Sequence, residues 1–361
     1  MGIMKKTIYL HIGAHKTGTS AIQEFLSINR EVLRQKGYLY PGQKSACYDL
    51  SNELLTKTFS EIINDTDSPV KKYLKEIQQS ECNNVMLSSE GFIKLSEKDV
   101  VTFQKILPEE YSVKIIVYVR RQDDKLESDY NQLVKGPKTR YQKKFADNIT
   151  EMLETYVYDY FTALLPWSHA FGKENIIVRC YEKEQLPEGI FHDFLGVVGL
   201  KLDDSYRIPQ DKVNISMNWD LIEIIRLCNI QFKDDLRFHN FLVNSLTEIN
   251  REHKKENQRL LSPQQRRDII EKYEESNAKV AREYFGRTDG RLFFAPLPAL
   301  DEPWKPYEGL TVEKIVPVFT QMMFNLERKH QKQRAAIKNR SFKGRILNRL
   351  KRTGSYLGLL Q

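Results

Sequence analysis

Four short apolar runs, TIYLHI (7–12), NVMLS (84–88), VKIIVYV (113–119) and NIIVR (175–179), are separated from one another by stretches of helical periodicity. The first stretch, AIQEFLSINREVLRQKG (21–37), has apolar positions at helical spacing and closes on Gly37. Apolar strands alternating with helices pair in parallel and are covered by helices on both faces. The expected fold class is therefore α/β, a central parallel sheet flanked by helices that opens with strand, loop and helix.

From Ser216 to about Phe285 the pattern turns helical and charged, with MNWDLIEIIRLCNIQF and SPQQRRDIIEKYEESNAKVAREYF as its clearest helices. Ser262 is an N-cap residue followed by a first-turn proline, Pro263. This region, 215–290, is read as a helical C-terminal layer. A proline-rich connector, PLPALDEPWKP, then leads to a last helix within 301–327 and a basic tail at 328–361.

The charge is local. Between Arg328 and Arg352 stand eleven Lys or Arg and no acid, which leaves 45 basic against 48 acidic residues in the rest of the 361. The net charge of +8 thus belongs to the tail and is no sign of nucleic-acid binding by the main body. Cys47, Cys82, Cys180 and Cys228 are scattered, with neither a CxxC nor a Cys/His pairing, so no zinc site or disulfide framework is expected. Without a secretory h-region or a spanning segment, a cytoplasmic location is expected.

After the first strand, GAHKTGTS (13–20) sets four residues between Gly13 and Gly18, then Thr19 and Ser20 at a helix start. Glycines let backbone N–H groups turn inward onto an anion, and a helix N-terminus adds partial positive charge. The loop resembles the phosphate loop of nucleoside triphosphatases, except that Thr19 follows Gly18 and the loop lysine, Lys16, stands two positions before it. That order, Lys-Thr-Gly-Thr-Ser, resembles the 5′-phosphosulfate loop of sulfotransferases that use 3′-phosphoadenosine 5′-phosphosulfate (PAPS). The resemblance implies that Lys16 contacts the bridging oxygen of the donor, and that Thr17, Gly18, Thr19 and Ser20 hold its 5′-phosphate. Many members carry an aromatic residue for adenine where this chain has Ala21. The bland alternative is a glycine turn that only joins strand to helix.

The third strand runs into VRRQDDKLESDYNQLVK, with Arg120 at its end and Ser128 eight residues on. Open parallel sheets bind ligands outside the carboxyl ends of their strands. The spacing resembles the 3′-phosphate site of the same family, which implies a clamp of Arg120 and Ser128 on that phosphate; a guanidinium fork suits the task. Arg121 competes with Arg120, and a solvated helix start with Asp123 and Asp124 as first-turn acids is the other reading.

A base must take the proton of the attacking acceptor. The second strand ends in LSSEGF, which presents Glu90 at the same sheet edge, where the family resemblance implies a histidine or a glutamate. A solvated loop acid is the alternative, and His15 and His11 are rivals. Further blocks, WSHAFGKENIIVRCYEKEQL, HDFLGVVGL, VNISMN and NAKVAREYFGRTDGRLF, look like bacterial sulfotransferase-family proteins associated with surface polysaccharides.

The resemblance implies a sulfotransferase domain over 1–300, with 215–290 facing the acceptor, a glycan or glycolipid; no metal is expected, because the sequence shows no clustered Asp or Glu ligands and a sulfuryl group carries less charge than a phosphoryl group. Asn214 and Ser216 would lie near nucleotide or acceptor, or cap the helix before Trp219. Gly286, Arg287 and Gly290 are a weak match to the family's closing loop. The tail could lie on an anionic membrane surface, hold a polyanionic glycan, or be solvated. Two other functions compete: a phosphate-loop kinase using ATP, which would want lysine after Gly18 and an acidic metal ligand such as Asp123, and a non-enzymatic polyanion-binding protein.

Overall fold

The computed structural model describes residues 6–155, 157–209, 216–232, 234–252 and 259–357. The chain opens with β1 (Thr7–His11), α1 (Thr19–Ile28), α2 (Arg30–Gln35) and β2 (Tyr38–Leu39), followed by α3 (Tyr48–Thr56), α4 (Phe59–Asn64) and α5 (Pro69–Gln79). Then come β3 (Asn84–Ser88), α6 (Glu97–Ile106), β4 (Ser112–Val119), α7 (Gln122–Lys135), α8 (Ile149–Thr155), α9 (Tyr160–Phe171) and β5 (Ile176–Cys180). Helices α10 (Ile190–Val197), α11 (Trp219–Gln231), α12 (Leu236–Glu252), α13 (Pro263–Lys272), α14 (Glu274–Phe285) and α15 (Val312–Leu357) complete the order. None of the described helices is long and apolar enough to cross a membrane.

The fold class is α/β, with a five-stranded parallel sheet in the order β2-β3-β1-β4-β5. The four strands expected from the sequence are present. The fifth, β2, is a two-residue edge strand, too short to leave a periodic signal. Strand alternation divides the core between the two faces. Val85, Leu87, Ile115, Val117 and Val119 point into one cluster with α3, α5, α6, α9 and α14. Met86, Ile116 and Tyr118 point into the other with α1 and α10.

The stretch expected as one helix up to Gly37 is two, because Asn29 leaves helical geometry at φ −110°, ψ 15°. Its buried amide donates to Phe25 O and Arg207 O and accepts from Arg207 N, all at 2.8 Å. A long-range tie overrides local periodicity there. Likewise 263–285 divides at Tyr273 into α13 and α14, and Ser262 caps α13 by a reciprocal bond with Gln265.

Contacts divide the chain into two compact units. One comprises Met1–Gln132, Lys143–Ser216 and Gln258–Tyr307; the other comprises Leu133–Gln142, Met217–Asn257 and Glu308–Gln361. The helical stretch 215–290 is thus shared between them. In the first unit α13 and α14 are fastened to α7. Asp123, with no exposed surface, receives Arg121 Nε (2.8 Å) and Arg266 Nε (2.9 Å), and Gln122 exchanges bonds with Asn277. Glu127 accepts from Arg259 and from the Leu260 and Leu261 amides. In the second unit α11 and α12 pack together, and α15 runs along α12.

Candidate active site

The exits of β1, β3, β4 and β5 lie along one edge of the sheet, since all four strands run the same way. The β1 exit is the glycine loop. Gly13 (φ 51°), Lys16 (φ 66°) and Gly18 (φ 83°) are all left-handed. For Lys16 that backbone costs about 1–2 kcal/mol, strain of a kind that gathers at functional sites. Both positions are also crowded. A Cβ on Gly13 would stand 3.1 Å from Thr19 and 3.3 Å from Glu90, and one on Gly18 would stand 2.9 Å from the Tyr181 ring and overlap Ile190.

The hydroxyls of Thr17 and Thr19 turn inward, both donating to Ala14 O at 2.6 and 3.3 Å, so these side chains brace the loop. Any hold on an anion here falls to backbone amides. Among the described residues, the amides of Ala14, His15, Lys16, Gly18, Thr19 and Ser20 have no hydrogen-bond acceptor within the protein, while that of Thr17 closes the turn over His15 and Lys16 onto Ala14 O. Gly18 begins α1 with no side-chain cap, and the first turn carries no acid. A run of unsatisfied N–H groups at a helix start favours an anion.

Lys16 and Arg120 come together, from the exits of adjacent strands. Arg120 Nη1 donates to Lys16 O at 3.2 Å. The Arg120 backbone is held by Tyr160, whose hydroxyl donates to Arg120 O (2.6 Å) and accepts from Arg120 N (3.3 Å). Burial pulls the Lys16 ammonium below its ordinary value, reinforced by Arg120 and opposed by Asp129 and Glu90. Arg121, the competitor, is buried and committed to Asp123, Ala295 O and Pro296 O. Ser128 is half-buried on α7, with no hydrogen bond to Arg120.

Glu90, beyond the β3 exit, pairs its Oε2 with His15 Nδ1 at 2.9 Å, so the expected base and one of its rivals form a single unit. Burial raises the Glu90 carboxyl, but the hydrogen bond and charge of His15, with His11 and Lys16, outweigh it and hold the carboxyl below its ordinary value. His11 is a core residue. It has no exposed surface, its Nδ1 meets Ser88 Oγ at 2.9 Å, and its ring lies edge-on to Tyr118 and Phe194. Burial takes its imidazole down to about 4, against the pull of Glu90.

Tyr181, immediately after β5, has no signal in the sequence that separates it from the other tyrosines. Its ring packs against Gly18 and lies 5.9 Å from the Arg120 guanidinium. Asp123 is enclosed by two arginines and does not face the loop as a metal ligand would. Among the described residues no three His, Cys, Asp or Glu are grouped to hold a metal ion. Asn214 lies outside the described residues. The cap of α11 is Asn218, which accepts from the Asp220 amide, and not Ser216. Arg287 braces its own loop through Leu292 O and Gln185.

These features define an α/β protein whose first strand empties into an anion-receptive glycine loop, with a lysine, an arginine and a histidine-paired glutamate around it. No family model matches the chain. It is 33% identical over 205 residues to an uncharacterized protein of Archaeoglobus fulgidus, a match covering 56% of this chain; the chain spans about half (54%) of that relative's length. The crystal structure of a sulfotransferase from Alicyclobacillus acidocaldarius is similar at a TM-score of 0.38 and 16% identity, over 65% of this chain and 95% of that one. A likeness that distant assigns no residue a role.

Proposed function

We propose that this protein transfers a sulfuryl group from PAPS to a hydroxyl or amine of an acceptor, a cell-surface glycan or its precursor modified in the cytoplasm. The observation that carries the reading is the meeting of Lys16 and Arg120 beside a loop of unpaired amides. Two cations and a row of donors on one sheet edge suit a ligand with anions at both ends, and the 3′- and 5′-groups of PAPS are such a pair.

In this reading the unpaired amides among residues 14–20 and Lys16 hold the 5′-phosphosulfate, Arg120 and Ser128 take the 3′-phosphate, and the Tyr181 ring covers the nucleoside side of the cleft. Glu90 accepts the acceptor's proton as the acceptor atom bonds to sulfur and the sulfur–oxygen bond to the 5′-phosphate breaks. Lys16 meets the negative charge that develops on the departing phosphate, and 3′,5′-adenosine bisphosphate leaves. His15 keeps Glu90 ionised and aimed.

Calorimetry tests the donor. Tight binding of 3′,5′-adenosine bisphosphate with weak binding of ATP and magnesium is expected. The reverse preference would establish the kinase reading, and binding of neither would leave a non-enzymatic polyanion binder.

A further inference from the structure

The proposed chemistry leaves unused the helix that carries the net charge. Within its own unit α15 runs along α12, with Lys314 bonded to Asp220 (3.2 Å) and Lys329 to Glu248 (2.8 Å), and it half-buries Ile315, Val318, Met322 and Leu326. Away from that side, Val312, Val316, Phe319 and Met323 recur at intervals of four, three and four residues, which sets them on one line of the helix. They are exposed by 69, 53, 39 and 68%, and Phe324 beside them by 57%. Single exposed apolar side chains are ordinary, but a row of four along one line marks a surface that something covers. Where the row stops the cations begin: residues 328–335 are exposed throughout, and eleven Lys or Arg without an acid follow from Arg328 to Arg352.

We infer that α15 lies flat on an anionic lipid surface, its apolar row at the acyl boundary and its cations among the headgroups. The pairing of the two features selects this occupant. A soluble polyanion would engage the cations and leave the row in water. A second copy of the helix in register would cover the row but set eleven cations against eleven. A bilayer carrying negative headgroups satisfies both at once. The helix, about 69 Å long at 1.5 Å per residue, offers room for row and cations in succession.

Flotation of the full chain with phosphatidylcholine vesicles, with and without about one-third phosphatidylserine, tests this. Binding is expected only with phosphatidylserine, and it should fall when salt is raised from about 0.1 to about 0.5 M. Each cation at such a surface contributes about fivefold in affinity, so the triple variant Arg328→Gln, Lys332→Gln, Arg334→Gln should bind about a hundredfold more weakly. Phe319→Ser with Met323→Ser removes the row at constant charge, and should weaken vesicle binding while leaving retention on a heparin column unchanged. Vesicle binding undiminished in that double variant, with full competition by a soluble dextran sulfate, would assign α15 to a soluble polyanion. A dimer in sedimentation velocity that the double variant dissolves, without vesicle binding, would assign it to a second copy. Either result overturns the inference, and neither touches the donor site.

Discussion

Replacing Glu90 by Gln tests the proposed chemistry most directly, because the change removes a charge and a base while keeping the shape. The amide oxygen of Gln can still accept the His15 Nδ1 proton now given to Glu90 Oε2 at 2.9 Å, so the loop should keep its form. Affinity for 3′,5′-adenosine bisphosphate should stay within about threefold, less than one hydrogen bond is worth. Loss of a positioned base slows a reaction by about 10²- to 10⁴-fold, or about 3–5 kcal/mol of barrier. The assay is labelled sulfuryl transfer from PAPS onto candidate saccharides, followed as kcat across pH. Burial raises this carboxyl, and the stronger influence of His15, His11 and Lys16 brings it below the ordinary 4.5. A base with a depressed pKa is active above that pKa, so the acid limb of the wild-type profile should fall below about pH 4.5. By the same sign, the pair's contribution to folding is present above about pH 4.5 and is lost as pH falls through the lower folded value. Unchanged turnover in the variant, or a wild-type acid limb between about pH 6 and 7 where imidazoles titrate, would refute the assignment.

Lys16→Ala should lower kcat by about 10²- to 10³-fold, as expected for loss of a group that stabilises the leaving phosphate, and should leave the melting temperature about unchanged, because alanine keeps the Cβ and with it the left-handed strain at φ 66°. Arg120→Ala removes the donor to Lys16 O and the cation beside Tyr181; calorimetry should show 3′,5′-adenosine bisphosphate bound about 10- to 100-fold more weakly, with adenosine 5′-phosphate affected less. Asp123→Asn leaves Arg121 and Arg266 buried without their carboxylate, and denaturant unfolding should show a loss of about 3–5 kcal/mol.

The sequence by itself determined the parallel sheet and which residues its edge would present. Apolar strands alternating with helices can pair in few ways, and in a parallel sheet every strand ends on the same side. That is why Lys16, Glu90 and Arg120, each just past a strand, could be named together. Only the tertiary structure decided how each of them is used. Arg120 and Arg121 are neighbours of one type, and it is the buried Asp123, with the carbonyls of Ala295 and Pro296, that claims the second and leaves the first to the loop. The pairing of Glu90 with His15, the inward turn of the Thr17 and Thr19 hydroxyls, and the Tyr181 ring against Gly18 were likewise illegible. Periodicity reports how a residue sits relative to its own element. These contacts join elements far apart in the chain, and burial and geometry at the meeting point choose among side chains that local pattern treats as equal.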